Sequence, residues 1–129
     1  MSLVVQKYGG TSVADIDCIR NVARRVIRTR EQGNAVVVVL SAMAGVTDNL
    51  IALAHQAAEA PDCRELDVLL STGEQTTVAL MAMMLQAMGY KARSLLGFQA
   101  EIRTDSAATR ARIISIGSDK IHSLLAEGN

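Results

Sequence analysis

Aromatic residues are scarce in this 129-residue chain, which has two Tyr, one Phe and no Trp. Base stacking and sugar-binding platforms therefore have little to rest on, and the core has to be built from Ala, Val, Leu, Ile and six Met. A surplus of charge is lacking too, since 13 Lys and Arg balance 13 Asp and Glu. Zero net charge argues against a nucleic-acid or membrane-surface binder, which neutralises phosphate with a basic excess. Only two cysteines occur, Cys18 and Cys63, with no CxxC spacing and no His at ligand distance, so both read as reduced structural thiols. His55 and His122 stand alone on expected helices without an HExxH pattern, and no metal site is expected from them. GxSxG and other nucleophile signatures are absent, which leaves covalent hydrolase chemistry unsupported. The longest unbroken apolar run, Val78 to Leu85, falls well short of the roughly 18 residues that span a bilayer. No charged segment followed by an apolar core opens the chain, and the protein reads as cytoplasmic.

What is present is the composition of one globular domain, with 50% apolar and 20% charged residues. Leu3 to Tyr8 is β-rich and leads into the turn residues Gly9-Gly10-Thr11-Ser12. An apolar series with helical spacing follows at Ile16, Ile19, Ala23, Val26 and Ile27. Asp15 and Asp17 in its first turn and Arg28 and Arg30 in its last suit the helix dipole, and Gly33 stands where a C-terminal cap belongs. Arg24, Arg25, Arg28 and Arg30 read first as a solvated helix face. Ala35 to Leu40 contains four consecutive valines without alternation, as expected of a strand covered by helices on both faces of a parallel sheet.

Ser41 to Val46 is loop-like, and Thr47 or Asp48 can cap a helix that Pro61 ends. Glu65 to Met88 is a long helix-compatible stretch interrupted by Ser71-Thr72-Gly73-Glu74 and closed by Gly89. Short strands are expected at Ala92 to Leu96, Ala100 to Arg103 and Arg112 to Ile116, with a last helix over Ser118 to Glu127. The order favours an α/β sandwich with a mainly parallel sheet and right-handed crossovers. Stopping just after a helix and its Gly cap, the chain looks cut off.

Ligands of open α/β sheets collect beyond the carboxyl ends of the strands, and both first loops are unusual. Lys7-Tyr8-Gly9-Gly10-Thr11-Ser12 offers backbone N–H groups, hydroxyls and one compact positive charge, a set that suits phosphate, although a bare Gly-Gly pair can also be only a turn. Ser41 and Thr47 are loop and cap residues or ligand contacts. Glu74, beside Gly73 inside an apolar segment, needs either solvent or a partner.

Taken together, KYGGTS, VVVLSAM, TDNL, ELDVLLSTGE and GFQAEIRTD, in this order and spacing, resemble the N-terminal part of aspartokinases over the whole chain. Two local departures are Ala44-Gly45-Val46 and Glu101, where a small residue is expected. The resemblance implies a three-layer α/β/α amino-acid-kinase domain, truncated here. Its activity would be transfer of the γ-phosphoryl of ATP, with Mg²⁺, to the side-chain carboxylate of L-aspartate. The product, 4-phospho-L-aspartate, leads towards lysine, threonine and methionine. Lys7, Gly9 and Gly10, with Tyr8 between them, match phosphate-cradling positions, and Ser41 a position near the same phosphates. Thr47, Asn49 and Glu74 match aspartate-binding positions. By the same resemblance residues 1–129 are the aspartate side, the nucleotide half and the regulatory ACT domains have no counterpart here, and the full-length protein is a homo-oligomer. The fragment alone would be inactive. Another amino-acid kinase with a carboxylate or phosphate acceptor, or a non-catalytic assembly module of the same fold, remains the alternative.

Overall fold

A computed structural model describes all residues 1–129. Strand β1 (Leu3–Tyr8) leads through a 3-10 turn at Gly10–Val13 into helix α1 (Ile16–Glu31) and strand β2 (Ala35–Leu40). Helices α2 (Val46–Ala57) and α3 (Cys63–Ala87) follow, then the strands β3 (Ile102–Thr104) and β4 (Ile113–Ile116) and helix α4 (Asp119–Ala126).

The β1-α1-β2 unit is the frame of the molecule. β1 and β2 pair in parallel from Leu3↔Ala35 to Tyr8↔Leu40. One face of the pair carries Val36, Val38 and Leu40 into a core shared with Val13, Ile19, Val22, Ala23 and Val26 of the first crossover and Met81 and Leu85 of α3. Asp15 caps α1 by accepting from the Cys18 N–H at 2.8 Å, a bond that favours the charged form and lowers the Asp15 pKa. Gly33 follows the helix at φ +85°, the left-handed conformation expected of it.

The other sheet face is bare. Leu3, Val5 and Val39 are 49%, 61% and 45% exposed there. The unbroken valine run of β2 leads one to expect helices on both sides; Val36, Val38 and Leu40 pack on the helical core, while on the other face Val37 is half-buried and Val39 is exposed. The sheet is parallel where β1 meets β2, while β3 and β4 form a separate antiparallel hairpin.

Several local expectations are corrected. Ser71 to Glu74 does not interrupt α3, which runs unbroken over 25 residues. The hydroxyls of Ser71, Thr72, Thr76 and Thr77 donate back to the carbonyls of Val68, Leu69, Thr72 and Gly73 at 2.7–3.2 Å, so poor helix formers are satisfied within the helix itself. Helix α3 is also long and apolar enough to cross a membrane by length and composition, although its stripe Gly73, Thr77, Met81, Leu85 is buried in this core. Neither Thr47 nor Asp48 caps α2. Gly45 does, at φ +78°, and α2 ends at Ala57, four residues before Pro61. Ala92 to Leu96 forms no strand because it finds no neighbouring strand to pair with.

Glu101, where a small residue is expected, adopts a backbone conformation that glycine takes without cost. It holds φ +55° and its side chain folds over Gly117, so that a Cβ on that glycine would lie 2.1 Å from the Glu101 carboxylate. Left-handed backbone costs a non-glycine residue about 1 kcal/mol, more than the entropy glycine loses on ordering. Glu101→Gly is therefore expected to leave the thermal midpoint unchanged or raise it by a few degrees, measured by calorimetry; a clear fall would mean that the Glu101 side chain makes a contact worth more than its strain. Thr109 is the second such residue, at φ +64°, and its N–H donates to Asp67 of α3 at 2.7 Å. That bond ties the β3–β4 loop to α3.

Candidate functional site

Parallel pairing in register brings the two loops after β1 and β2 out at the same sheet end. The Ser41 N–H still donates to the Tyr8 carbonyl at 3.2 Å, so the loops separate only beyond that bond. Lys7 is opposite Val39 on the bare face and is exposed. Tyr8 turns the other way, packs on the core and donates its hydroxyl to the Gln6 side chain at 3.0 Å. Only its main chain faces the turn.

The two glycines of the turn serve different ends. Gly9 is extended, with φ -81° and ψ 175°, and a Cβ on it would touch nothing within 4 Å. It leaves a bare stretch of backbone open to solvent, where an anion can approach the N–H groups. Gly10, in contrast, is held close to the second loop: a Cβ there would stand 3.3 Å from the carbonyl oxygen of Ala42.

Gly73 of α3 meets the same loop. A Cβ on Gly73 would come 3.0 Å from the Ala42 Cβ and 3.3 Å from Val46 Cγ1. Glycine in a helix interior costs about 1 kcal/mol against alanine, and this close approach is the physical reason for it. Sequence reasoning singled out Glu74 and passed over Gly73 and Ala42; the glycine inside an otherwise apolar helix was the signal. Glu74 follows Gly73 in α3, and Thr47 and Asn49 are exposed in the first turn of α2, whose Val46 and Leu50 face Gly73.

Glu74 is exposed, and the chain's two ion pairs, Arg20–Asp17 and Arg64–Glu65, lie elsewhere on helix surfaces. Lys7 and Glu74 are thus one cation and one anion, each without an ionic partner, on elements that converge on the loop from Ser41 to Gly45. A cleft of about 930 Å³ reaches Glu74 at one side and runs along β2 to Tyr90, Lys91 and α4. Lys7, Tyr8, Gly9, Gly10, Ser41, Thr47 and Asn49 do not line it. Its walls are mostly apolar, so it is a gap between layers beside the unpaired edge of β2, and of the candidate site residues Glu74 alone lines it. No three His, Cys, Asp or Glu side chains come together as a metal cluster.

An amino acid kinase family model matches residues 2–129. The chain belongs to the amino acid kinase family. Within that family it is 52% identical over 128 residues to an aspartokinase of Geobacillus stearothermophilus, a match covering 99% of this chain and 31% of that protein. An aspartate kinase of Pseudomonas putida is likewise 52% identical over the same share of each. The chain therefore spans about a third of the length of these relatives. Among solved structures, aspartate kinase from Synechocystis superposes with a TM-score of 0.70 at 49% identity, covering 72% of this chain and 16% of that one. The fold is shared as well with E. coli aspartokinase III, solved with aspartate and ADP, at a TM-score of 0.73 and 24% identity over 98% of this chain and 37% of that one. The α/β expectation and the resemblance to aspartokinases are both borne out.

Proposed function

We propose that residues 1–129 form the aspartate-binding part of a cytoplasmic, homo-oligomeric aspartate kinase. It would transfer the γ-phosphoryl of ATP to the side-chain carboxylate of L-aspartate, giving 4-phospho-L-aspartate, the first step towards lysine, threonine and methionine. The observation that carries this reading is the convergence of the Gly9–Gly10 turn and the Gly73–Glu74 turn of α3 on one short loop, Ser41 to Gly45. An anion cradle at the turn and a carboxylate suited to an ammonium group would then flank the same loop. About half of the residues are identical to those of aspartokinases over nearly the whole chain, which supports the same substrate.

Lys7, the main chain of Tyr8 to Gly10 and the Ser41 hydroxyl would meet phosphate oxygens. Thr47, Asn49 and Glu74 would hold aspartate, with Glu74 on its ammonium. An aspartate carboxylate, with a pKa of about 3.9, is ionised at neutral pH and needs no general base. In the step itself a carboxylate oxygen forms a bond to the γ-phosphorus while the bond to the β,γ-bridging oxygen breaks, and that electron pair leaves with ADP. The work left to the protein is positioning and neutralising charge. The donors at the turn, an ammonium, N–H groups and hydroxyls, suit phosphate oxygens. The ammonium and N–H groups cannot ligate Mg²⁺, which takes carboxylate, hydroxyl, phosphate and water oxygens, and a metal accompanying ATP would find its carboxylate ligands outside the turn. Adenine and ribose are likewise assigned to a nucleotide half elsewhere in a protein of the relatives' length.

The direct experiment traps the acyl phosphate. A full-length protein carrying this chain, given aspartate, MgATP and hydroxylamine, should yield aspartyl hydroxamate; product only with another carboxylate or phosphate acceptor would move it elsewhere in the family, and none with any acceptor would favour an assembly module. Glu74→Gln in that protein keeps the side-chain size and removes the charge. Losing a charge-assisted hydrogen bond costs about 1.5 to 3 kcal/mol, so the aspartate KM should rise roughly 10- to 150-fold, with a smaller change in the ATP KM. An aspartate KM within twofold of wild type would leave Glu74 as a plain exposed helix residue.

A further inference from the structure

Ala42 touches both halves of the site. Its carbonyl oxygen closes on Gly10 of the anion turn and its methyl on Gly73 of α3, at 3.3 and 3.0 Å from where their Cβ atoms would be. It is 6% exposed and follows Ser41 directly, as Glu74 follows Gly73. At both glycines the space before Ala42 is tighter than a Cβ needs at the ordinary van der Waals distance of 3.4–4 Å.

The surroundings keep the contact from relaxing. Val46 Cγ1 and Leu50 Cδ1 of α2 would lie 3.3 and 3.7 Å from a Cβ on Gly73, so a methyl there crowds α2 as well as Ala42, and α3 gains no room by shifting towards either. Thr77, wholly buried, donates its hydroxyl to the Gly73 carbonyl at 3.2 Å and pins that turn. Gly73 itself is not there for the helix, which would prefer alanine. Ala42, at 3.0 Å the nearest of these neighbours, takes the largest share of a displacement at position 73, and its carbonyl faces Gly10.

We propose that Ala42 is a positioning residue that sets the spacing between the anion turn at Gly9–Gly10 and the carboxylate of Glu74, so that the phosphate and aspartate sides of the site move as one. The proposal rests on the aspartate kinase reading above and adds a coupling to it. Its signature is kinetic. Removing the Glu74 charge weakens aspartate alone, whereas a methyl group at position 73 raises the aspartate KM and lowers kcat together, because it disturbs the anion turn through Ala42.

The test is a cycle of Gly73→Ala, Ala42→Gly and the double variant in a full-length kinase carrying this chain. A misplacement of about 1 Å in an active site can cost on the order of 100-fold, and a methyl at position 73 asks its neighbours to give by a few tenths of an ångström, so Gly73→Ala should lose roughly fivefold or more in kcat and raise the aspartate KM by a similar factor. The double variant, lacking the methyl that Gly73→Ala strikes, should return to within about threefold of Ala42→Gly alone. Hydrogen exchange of the amides from Ala42 to Thr47 reads the same contact without catalysis: faster in Gly73→Ala, restored in the double variant. A Gly73→Ala enzyme within twofold of wild type in both constants overturns the proposal, as does a loss that Ala42→Gly does not relieve. Should Gly73→Ala fail to fold, a folded double variant supports the contact and an unfolded one overturns it. Wild-type enzyme inert towards aspartate but with this exchange pattern overturns the aspartate reading and leaves the interlock supported.

Discussion

Lys7→Ala in a full-length protein is expected to lower kcat by about 10²- to 10³-fold, the range seen when one donor to a developing anionic charge is removed. The aspartate KM should change far less. Lys7 is the last residue of β1 on the bare sheet face, exposed, two positions before a glycine that leaves open backbone, and neither of the chain's ion pairs involves it. A free ammonium at such a turn is worth most when charge builds on the transferring phosphoryl oxygens, which is after aspartate has bound. Lys7→Arg keeps the charge on a wider, planar group and should recover part of the rate. Steady-state kinetics with each substrate varied decides the matter: an unchanged turnover number removes Lys7 from the mechanism, and a pure rise in the aspartate KM moves it to the substrate side.

Residues 1–129 alone are expected to show no aspartate-dependent ATP turnover and no tight MgATP binding. A nucleotide site normally buries most of its ligand in a pocket that holds base and ribose as well as phosphates. Here the anion turn opens onto solvent at Gly9, and the one large cleft is apolar and excludes both Lys7 and the turn. Exposed Leu3, Val5 and Val39 on the sheet, with Phe98, Ile113, Ile114 and Ile116 around the hairpin at 56–76% exposure, also predict self-association at high concentration. Titration calorimetry with MgATP and a hydroxamate assay at high aspartate give the functional answer, and sedimentation the other. Micromolar nucleotide affinity, or steady turnover, would show these residues to be sufficient by themselves.

Much of this was legible from residue patterns, and the limits of legibility are instructive. Strand–turn–helix–strand from Leu3 to Leu40 could be read because each element carries its own local signals: Gly9-Gly10, an acidic first turn, Gly33, then valines. The parallel pairing followed from the helical crossover. The STGE segment was misjudged as a break because propensity treats Ser, Thr and Gly as unfavourable one at a time, whereas in α3 their hydroxyls bond within the helix and the glycine answers a neighbour 31 positions earlier in sequence. No local rule contains that neighbour. The segment Ala92 to Leu96 was misjudged in the opposite direction, since β propensity makes a strand only where a partner edge is within reach. The candidate site residues could be named from motifs, but their relation to one another, and Ala42 between them, came only from the fold.

The bare valine face has a consequence during synthesis. A relative three times as long, made at about 5–20 residues per second, leaves the ribosome-borne β1-α1-β2 unit waiting for the order of half a minute before its last residues appear. For that time an apolar parallel pair with two unpaired edges is exposed to every other nascent chain. Lys7 is the one charged side chain on that face, sitting across from Val39, and a charge in an otherwise sticky strand acts as a gatekeeper against misassembly. Lys7 would thus serve the solubility of its own strand in addition to the phosphate role proposed for it. Yield and solubility of Lys7→Ala should accordingly be followed alongside its rate, and the loss normalised to active-site concentration.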